Sequence, residues 1–262
     1  YKRQGAVRFL LKVLNDFVRW VEQLPYASLD GIWLYRLEVL GIYIFLLLFL
    51  YYLKTRRFRN LVVCFSCLLC LGIYHTVMRW YDRPCPSLVF YNVRGCPAIH
   101  CIAEDGTSWL NYADTLSDKR RLQAVAANYW RRHQLLPPIE VTADCQNVDF
   151  CRHQQIVFYH GCRICMVTDN RWRNKSAASP LFINYMYLCK GYNGRLEELT
   201  GLFSPSCILL DASLSDDRKQ FFREECKRLH LHFITLSEEG SVRFLLLSLI
   251  HISEPTRHSL IS

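Results

Sequence analysis

Charge is missing from two long stretches of this sequence. No Asp, Glu, Lys or Arg occurs in residues 39–53 or 61–78, and residues 42–53 carry no polar side chain except tyrosine hydroxyls. A soluble helix keeps one wet face, so this absence argues against a pair of core helices. The start of the chain lacks an initiator Met and the charged, apolar and small-residue order of a signal peptide, and is expected to be cut from a longer protein. The Cys162 and Cys165 CxxC has no second pair at zinc-ribbon spacing, and on a strand its thiols would point to opposite faces. Acidic residues are in short supply, 23 against 32 Lys and Arg, for a formal charge of +9. Such a surplus suggests an anionic partner, either phospholipid head groups or nucleic acid.

What is present begins with the apolar runs 32–53 and 61–78, each about one bilayer long at ~1.5 Å of rise per residue. Lys54, Arg56, Arg57 and Arg59 lie between them. Positive loops stay cytoplasmic, so residues 31–83 read as a transmembrane helical hairpin with its tip in the cytoplasm and the chain after Tyr81 beyond the membrane. A charge near mid-bilayer costs on the order of 3 kcal/mol. Arg36 and Glu38, in the first turns, therefore either snorkel to the interface or face a bundle interior and line a polar path.

Residues 7–24 place Phe9, Leu10, Val13, Leu14, Phe17, Val18 and Val21 on one stripe, opposite Arg8, Lys12, Asp16, Arg19 and Glu22. This is an amphipathic helix too polar to span. With Pro25 behind it, residues 1–30 read as an interfacial helix and linker on the outer surface, or as a helix packed on other spans. At the far end LSLIHISEPTR resembles a translated sequencing adapter, and residues 247–262 are set aside as an expected artefact.

Past Pro84 and Pro86 the pattern changes to short β-rich runs and amphipathic helices over residues 84–246, enough for one core. Strands are predicted at 87–93 and 98–103 about an Arg94-Gly95 turn, and at 107–112 after Asp105-Gly106. Ser117 is expected to cap a helix over 118–133 whose Leu122, Val125, Ala126 and Tyr129 face the core, ended by Pro137 and Pro138. Strands at 156–159, 163–168 and 185–189 precede a helix at 196–203, a buried strand at 207–211, a helix at 216–229 and a strand at 232–236. The alternation is α/β.

These segments together resemble the C-terminal part of the ComEC competence family, the inner-membrane channel through which transforming single-stranded DNA enters bacterial cells. The likeness rests on the helix ending in WVEQLP, the two spans with a basic turn, and the stretches SLVFYNVRGCPAIHCIAEDGTSWL, YMYLCKGYNGRLEEL and CILLDASLSDDRKQFFREECKRLHLHFITLSEEGSV. It implies a metallo-β-lactamase-like α/β domain after the membrane helices. Metal-binding members of that superfamily carry a His-x-His-x-Asp-His motif, because two metal ions need imidazoles and a bridging carboxylate on one rim to generate hydroxide. Thr142, Ala143, Asp144 and Cys145 stand at the corresponding positions, and Cys189, Lys190, Gly191 and Tyr192 replace a paired histidine and glycine. Asn92 and Arg94 replace the opening aspartate and glycine. The expectation is a retained fold without a hydrolytic centre and without a cofactor.

 The domain is thus expected to perform no hydrolysis, and bound metal is what would reverse that expectation.

Other clusters carry weaker signals. His153, His160, Cys151 and Asp149 have ligand chemistry without ligand spacing, and His230 and His232 flank a helix-to-strand turn. Cys64, Cys67 and Cys70 lie in the second apolar run as packing residues. The other ten of the 13 cysteines leave room for one or two disulfides in an oxidising compartment. The segment Arg171, Trp172, Arg173 and Lys175 offers cations to phosphates and an indole to bare bases, at about 1 to 3 kcal/mol per stacked base. The competing reading is a tryptophan anchored in the core among solvated arginines. Arg120, Arg121, Arg131 and Arg132 form a basic helix face that is either a phosphate track or a wet surface.

The leading expectation is a piece of a multi-pass bacterial inner-membrane channel, with its C-terminal domain periplasmic, guiding or gating single-stranded DNA. Membrane lipids and the remaining transmembrane helices are its other expected partners. A metal-dependent nuclease acting on incoming DNA and a structural scaffold domain are the alternatives.

Overall fold

The computed structural model describes residues 2–22, 33–112, 116–147 and 149–246. The linker expected around Pro25 and the tail 247–262 lie outside the described residues. The chain forms two units, residues 1–71 and 72–262, and each is taken by itself.

The first unit holds α1 (Lys2–Glu22), α2 (Arg36–Thr55) and most of α3 (Phe58–Tyr81). On α1, Val13, Leu14, Phe17 and Val18 of the apolar stripe are exposed. The α2 N-terminus is closed by Glu38, which is buried and accepts the Tyr35 N–H at 2.8 Å. There the carboxylate satisfies one of the helix's orphan donors and meets the positive end of its dipole. At the other end Arg56 turns left-handed, with φ 49°, and donates its N–H to Tyr52 O. Asn60 Nδ2 reaches back to Thr55 Oγ1 at 2.6 Å, fixing a tight connection. Gly41 lies so close to Leu71 that a Cβ there would meet the leucine methyl, and a small residue is what allows two helices that approach. By length and composition α2 and α3 can each cross a membrane. Large apolar side chains such as Leu47, Leu50 and Leu69 remain bare, as they would not in a soluble core.

In the second unit the strands β1 (Ser87–Phe90), β2 (Ala98–Ile102) and β3 (Ser108–Tyr112) form an antiparallel meander. The turn glycines Gly95 and Gly106 have φ 88° and 85°, a region that costs glycine little. Helix α4 (Leu116–Arg132) follows, then β4 (Ile139–Val141), which returns parallel to β3. Next come β5 (Cys145–Gln146), β6 (Phe150–His153), β7 (Ile156–Tyr159) and β8 (Cys162–Val167), an antiparallel ribbon. The remainder is β9 (Leu181–Leu188), α5 (Leu196–Thr200), β10 (Phe203–Leu210), α6 (Asp216–Arg228), β11 (Phe233–Thr235), α7 (Leu236–Glu239) and β12 (Val242–Leu245). One sheet has the order β12-β1-β2-β3-β4 and the other β11-β10-β9-β8-β7-β6-β5, with β8 to β11 parallel.

Strand alternation sorts the side chains into layers. Leu88, Phe90, Ile99 and Trp109 of the first sheet meet Ile164, Met166, Tyr187 and Leu209 of the second. Outside the first sheet, Val89, Tyr91 and Leu110 pack on Leu122, Ala126 and Tyr129 of α4. Outside the second, Val167, Leu188 and Leu210 pack on Leu199 of α5 and Phe222 of α6. The order is helix, sheet, sheet, helix.

Several expectations are corrected. Val125 is exposed, because it sits one step off the buried row of α4. Helix α4 already includes Ser117, so that residue does not stand outside it as a cap. Phe203 opens β10 instead of ending α5, since its ring belongs to the core over α5 and α6. Among the described residues none of the thirteen cysteines is joined in a disulfide. Cys162 packs toward the intersheet core and Cys165 toward the opposite face, as strand geometry requires.

Candidate functional site

Parallel strands gather their carboxyl ends on one side, and in open α/β sheets that side is where ligands bind. Here β1, β3 and β4 run in one direction and β8, β9 and β10 in another common one. A cavity lined by Asn111 and Thr142 from one sheet and Gln155 and Thr168 from the other puts both sets of ends at a single rim.

The loops on this rim are fastened to one another. Asn92 N–H donates to Ser241 Oγ at 2.9 Å, Lys190 N–H to Ser213 Oγ at 3.2 Å, and Asn193 N–H to Asn170 Oδ1 at 2.8 Å. Gly191, with φ 116°, lies against the Thr168 carbonyl, where a Cβ has no room. Beneath them Asp211 is fully buried, accepting from the Tyr187 hydroxyl and from Ser213 N–H. Burial raises its carboxyl above the usual range and pushes the Cys189 thiol well up. Burial of the Cys189 thiol disfavours its thiolate, the nucleophilic form.

Of the residues expected to stand where a metal motif would lie, Asp144 has partners of its own. Asp144 accepts Gln154 N–H at 2.7 Å and faces His153 Nδ1 at 3.2 Å. His160 sits past the far end of β7, about 13 Å along the strand at ~3.3 Å per residue, and outside that pair. Tyr192 is a core residue whose hydroxyl donates to Arg195 O. Among the described residues no three His, Cys, Asp or Glu side chains form a metal-ligand set.

The nominated basic residues divide between two places. Arg171, Trp172, Arg173 and Lys175 follow β8 onto the rim. There Arg171 pairs with Asp169 at 2.8 Å and Arg173 with Glu198 at 3.6 Å, all three cations staying exposed. Trp172 is not a bare plane between guanidiniums: it is half-buried, edge-on to Phe203 at 5.0 Å, with Nε1 donating to Gln155 Oε1 at 2.5 Å. Lys175 lies over its ring at 5.3 Å. Arg120 and Arg121 are exposed on the first half of α4. Arg131 and Arg132 are three turns on, about 16 Å away along the axis, and Arg132 is held by buried Asp82 at 3.1 Å. Sequence reasoning missed Asn111, Arg152 and Gln155, polar residues within strand patterns that carry no motif.

A two-sheet sandwich with outer helices, a fastened strand-end rim and two bilayer-length apolar helices before it define a membrane-associated α/β protein. The family model for the ComEC C-terminal domain matches residues 88–246, most of the chain. The chain belongs to the ComEC competence family, as its C-terminal part, and so to a competence DNA-uptake protein. No curated protein and no solved structure matches it.

Proposed function

We propose that the α/β domain guides or gates single-stranded DNA at its strand-end rim without hydrolysing it. The observation that carries this reading is the exposed loop of Arg171, Arg173 and Lys175 on the strand-end rim. Lys190 and Arg94, exposed on neighbouring strand ends, extend the positive edge. Arg120 and Arg131 share one row of α4 with Arg121 beside it, so the helix offers a further phosphate track from the rim, while Arg132 is engaged by Asp82 instead. Trp172, held by Gln155 and Phe203, fixes the loop that carries these cations. The layer order helix, sheet, sheet, helix supports a metallo-β-lactamase-like sandwich that has lost its metal residues.

The same reading places the chain in a multi-pass bacterial inner-membrane protein, among lipids and further transmembrane helices. Lys54, Arg56, Arg57 and Arg59, all exposed in or beside the α2–α3 connection, favour a cytoplasmic tip and a periplasmic domain. The test is single-stranded oligonucleotide binding by the full chain in detergent across a salt series. Phosphate contacts release counterions, so affinity falls steeply as salt rises; absent or salt-independent binding contradicts the proposal.

A scaffold role is favoured by the other end of α4, where Arg132 and His133 hold Asp82 just after α3. The readings separate in cells: loss of DNA uptake in an Arg171, Arg173 and Lys175 alanine variant at normal protein level supports strand contact. A defect seen only with reduced protein level supports the scaffold.

A further inference from the structure

The cavity between the two sheets contains an acceptor with nothing to accept. It has a volume of about 110 Å³ and is lined by Asn111, Thr142, Arg152, Gln155, Met166 and Thr168, with Tyr112 and Gln154 at its edge. Register sets which side chains enter it. Trp109 faces the intersheet core, so Asn111, two residues on, faces the same way; Val157 and Met166 do the same for Gln155 and Thr168.

The other polar groups are largely engaged. Arg152 donates Nη1 to Val141 O at 2.6 Å and Nε to Gln154 O at 3.2 Å. Gln155 donates Nε2 to Thr168 Oγ1 at 2.8 Å and accepts from Trp172. Asn111 is 2% exposed, and its Oδ1 has no hydrogen-bond partner. A buried acceptor left unmatched is destabilising and marks a place for a donor.

Resting on the strand-binding reading above, we propose that this cavity receives one pyrimidine base of the bound strand. An apolar cavity of about 150 Å³ holds benzene; this one is smaller and open at one side, so a single six-membered ring would enter edge-first with part of it left in the mouth, and a fused pair would be shut out. A pyrimidine brings an N–H for Asn111 Oδ1 beside a carbonyl that the Thr142 or Thr168 hydroxyl can serve, and Met166 gives its ring an apolar wall. Gln155 joins the cavity to Trp172, so a base seated there leaves its phosphates near Arg171 and Lys175.

The experiment compares a short oligothymidylate, an oligoadenylate and an abasic oligonucleotide of equal length on the full chain in detergent, with free thymidine as a fourth probe. The expected result is about tenfold tighter binding of oligothymidylate than of the abasic strand, with oligoadenylate near the abasic value. Asn111→Leu should erase that preference while keeping the salt-dependent binding common to all strands, and Thr168→Val, a smaller change, should reduce it if Asn111→Leu does not fold. Equal binding of thymidylate and abasic strands overturns the base pocket and leaves the strand reading intact. Equal binding of adenylate and thymidylate, both above abasic, overturns the pyrimidine assignment. If no strand binds but thymidine does, and Asn111→Leu or Thr168→Val weakens it, the pocket stands and the strand reading fails. If nothing binds, both fail.

Discussion

At the end of the sandwich away from the rim, Arg132 is drawn onto buried Asp82 and His133 meets the Asp82 carbonyl, while Gln134 donates to Arg79 O. At the rim, Arg171 and Arg173 are paired only with carboxylates that stay partly in water, and Lys175 leans on an indole. The first arrangement uses a cation to hold secondary structure together. The second leaves cations displayed on loops whose backbone is tied down by Ser213, Asn170 and a crowded glycine. Basic residues that look alike in the sequence therefore have different work, decided by whether a buried carboxylate lies within reach.

Breaking the rim's fastening should have the largest effect. Gly191→Ala puts a methyl against the Thr168 carbonyl at a positive φ, and strain at such a site is about 2 to 3 kcal/mol. Chemical denaturation of the variant should show that loss, and the loop's basic residues should lose affinity for DNA with it. An unchanged midpoint would mean that the rim is not held as described.

The next effect comes from His100, fully buried between the first sheet and α4, its Nδ1 paired with the Tyr91 hydroxyl at 2.8 Å. Burial lowers its pKa to about 3. The folded protein keeps it neutral while the unfolded chain takes a proton below about pH 6.5, so its contribution is present above that pH and is lost as pH falls. Between pH 7 and pH 5 the loss is about 2 kcal/mol. Asp211, with a raised carboxyl pKa, acts in the opposite direction, so the slope is read as the difference between the native chain and His100→Gln. A variant with the same slope contradicts this assignment.

The smallest effect belongs to the far end. Arg132 is about half exposed, which screens its pair with Asp82, and Arg132→Ala should cost about 1 kcal/mol. Thermal melts should record that loss while affinity for single-stranded DNA changes little, in contrast to the rim cations.

Much of the architecture was legible locally. The bare apolar runs marked α2 and α3, and Arg94-Gly95 and Asp105-Gly106 marked the first meander. Strand β12 was not, because Val242–Leu245 is a short run whose partner β1 lies far back in the chain. Strands β4 to β6 were hidden by their length and by Arg152 and His153. Asn111 was invisible for a related reason: a polar residue in a strand looks solvent-facing until the register through Trp109 turns it inward. The anchoring of Trp172 depends on Gln155 and Phe203, which no local pattern connects to it.

The most direct test is the salt dependence of single-stranded DNA binding by the full chain, measured beside a variant with Arg171, Arg173 and Lys175 changed to alanine. The account predicts weaker binding and a shallower slope, by about one counterion for each phosphate contact removed. An identical slope in the two proteins would contradict it.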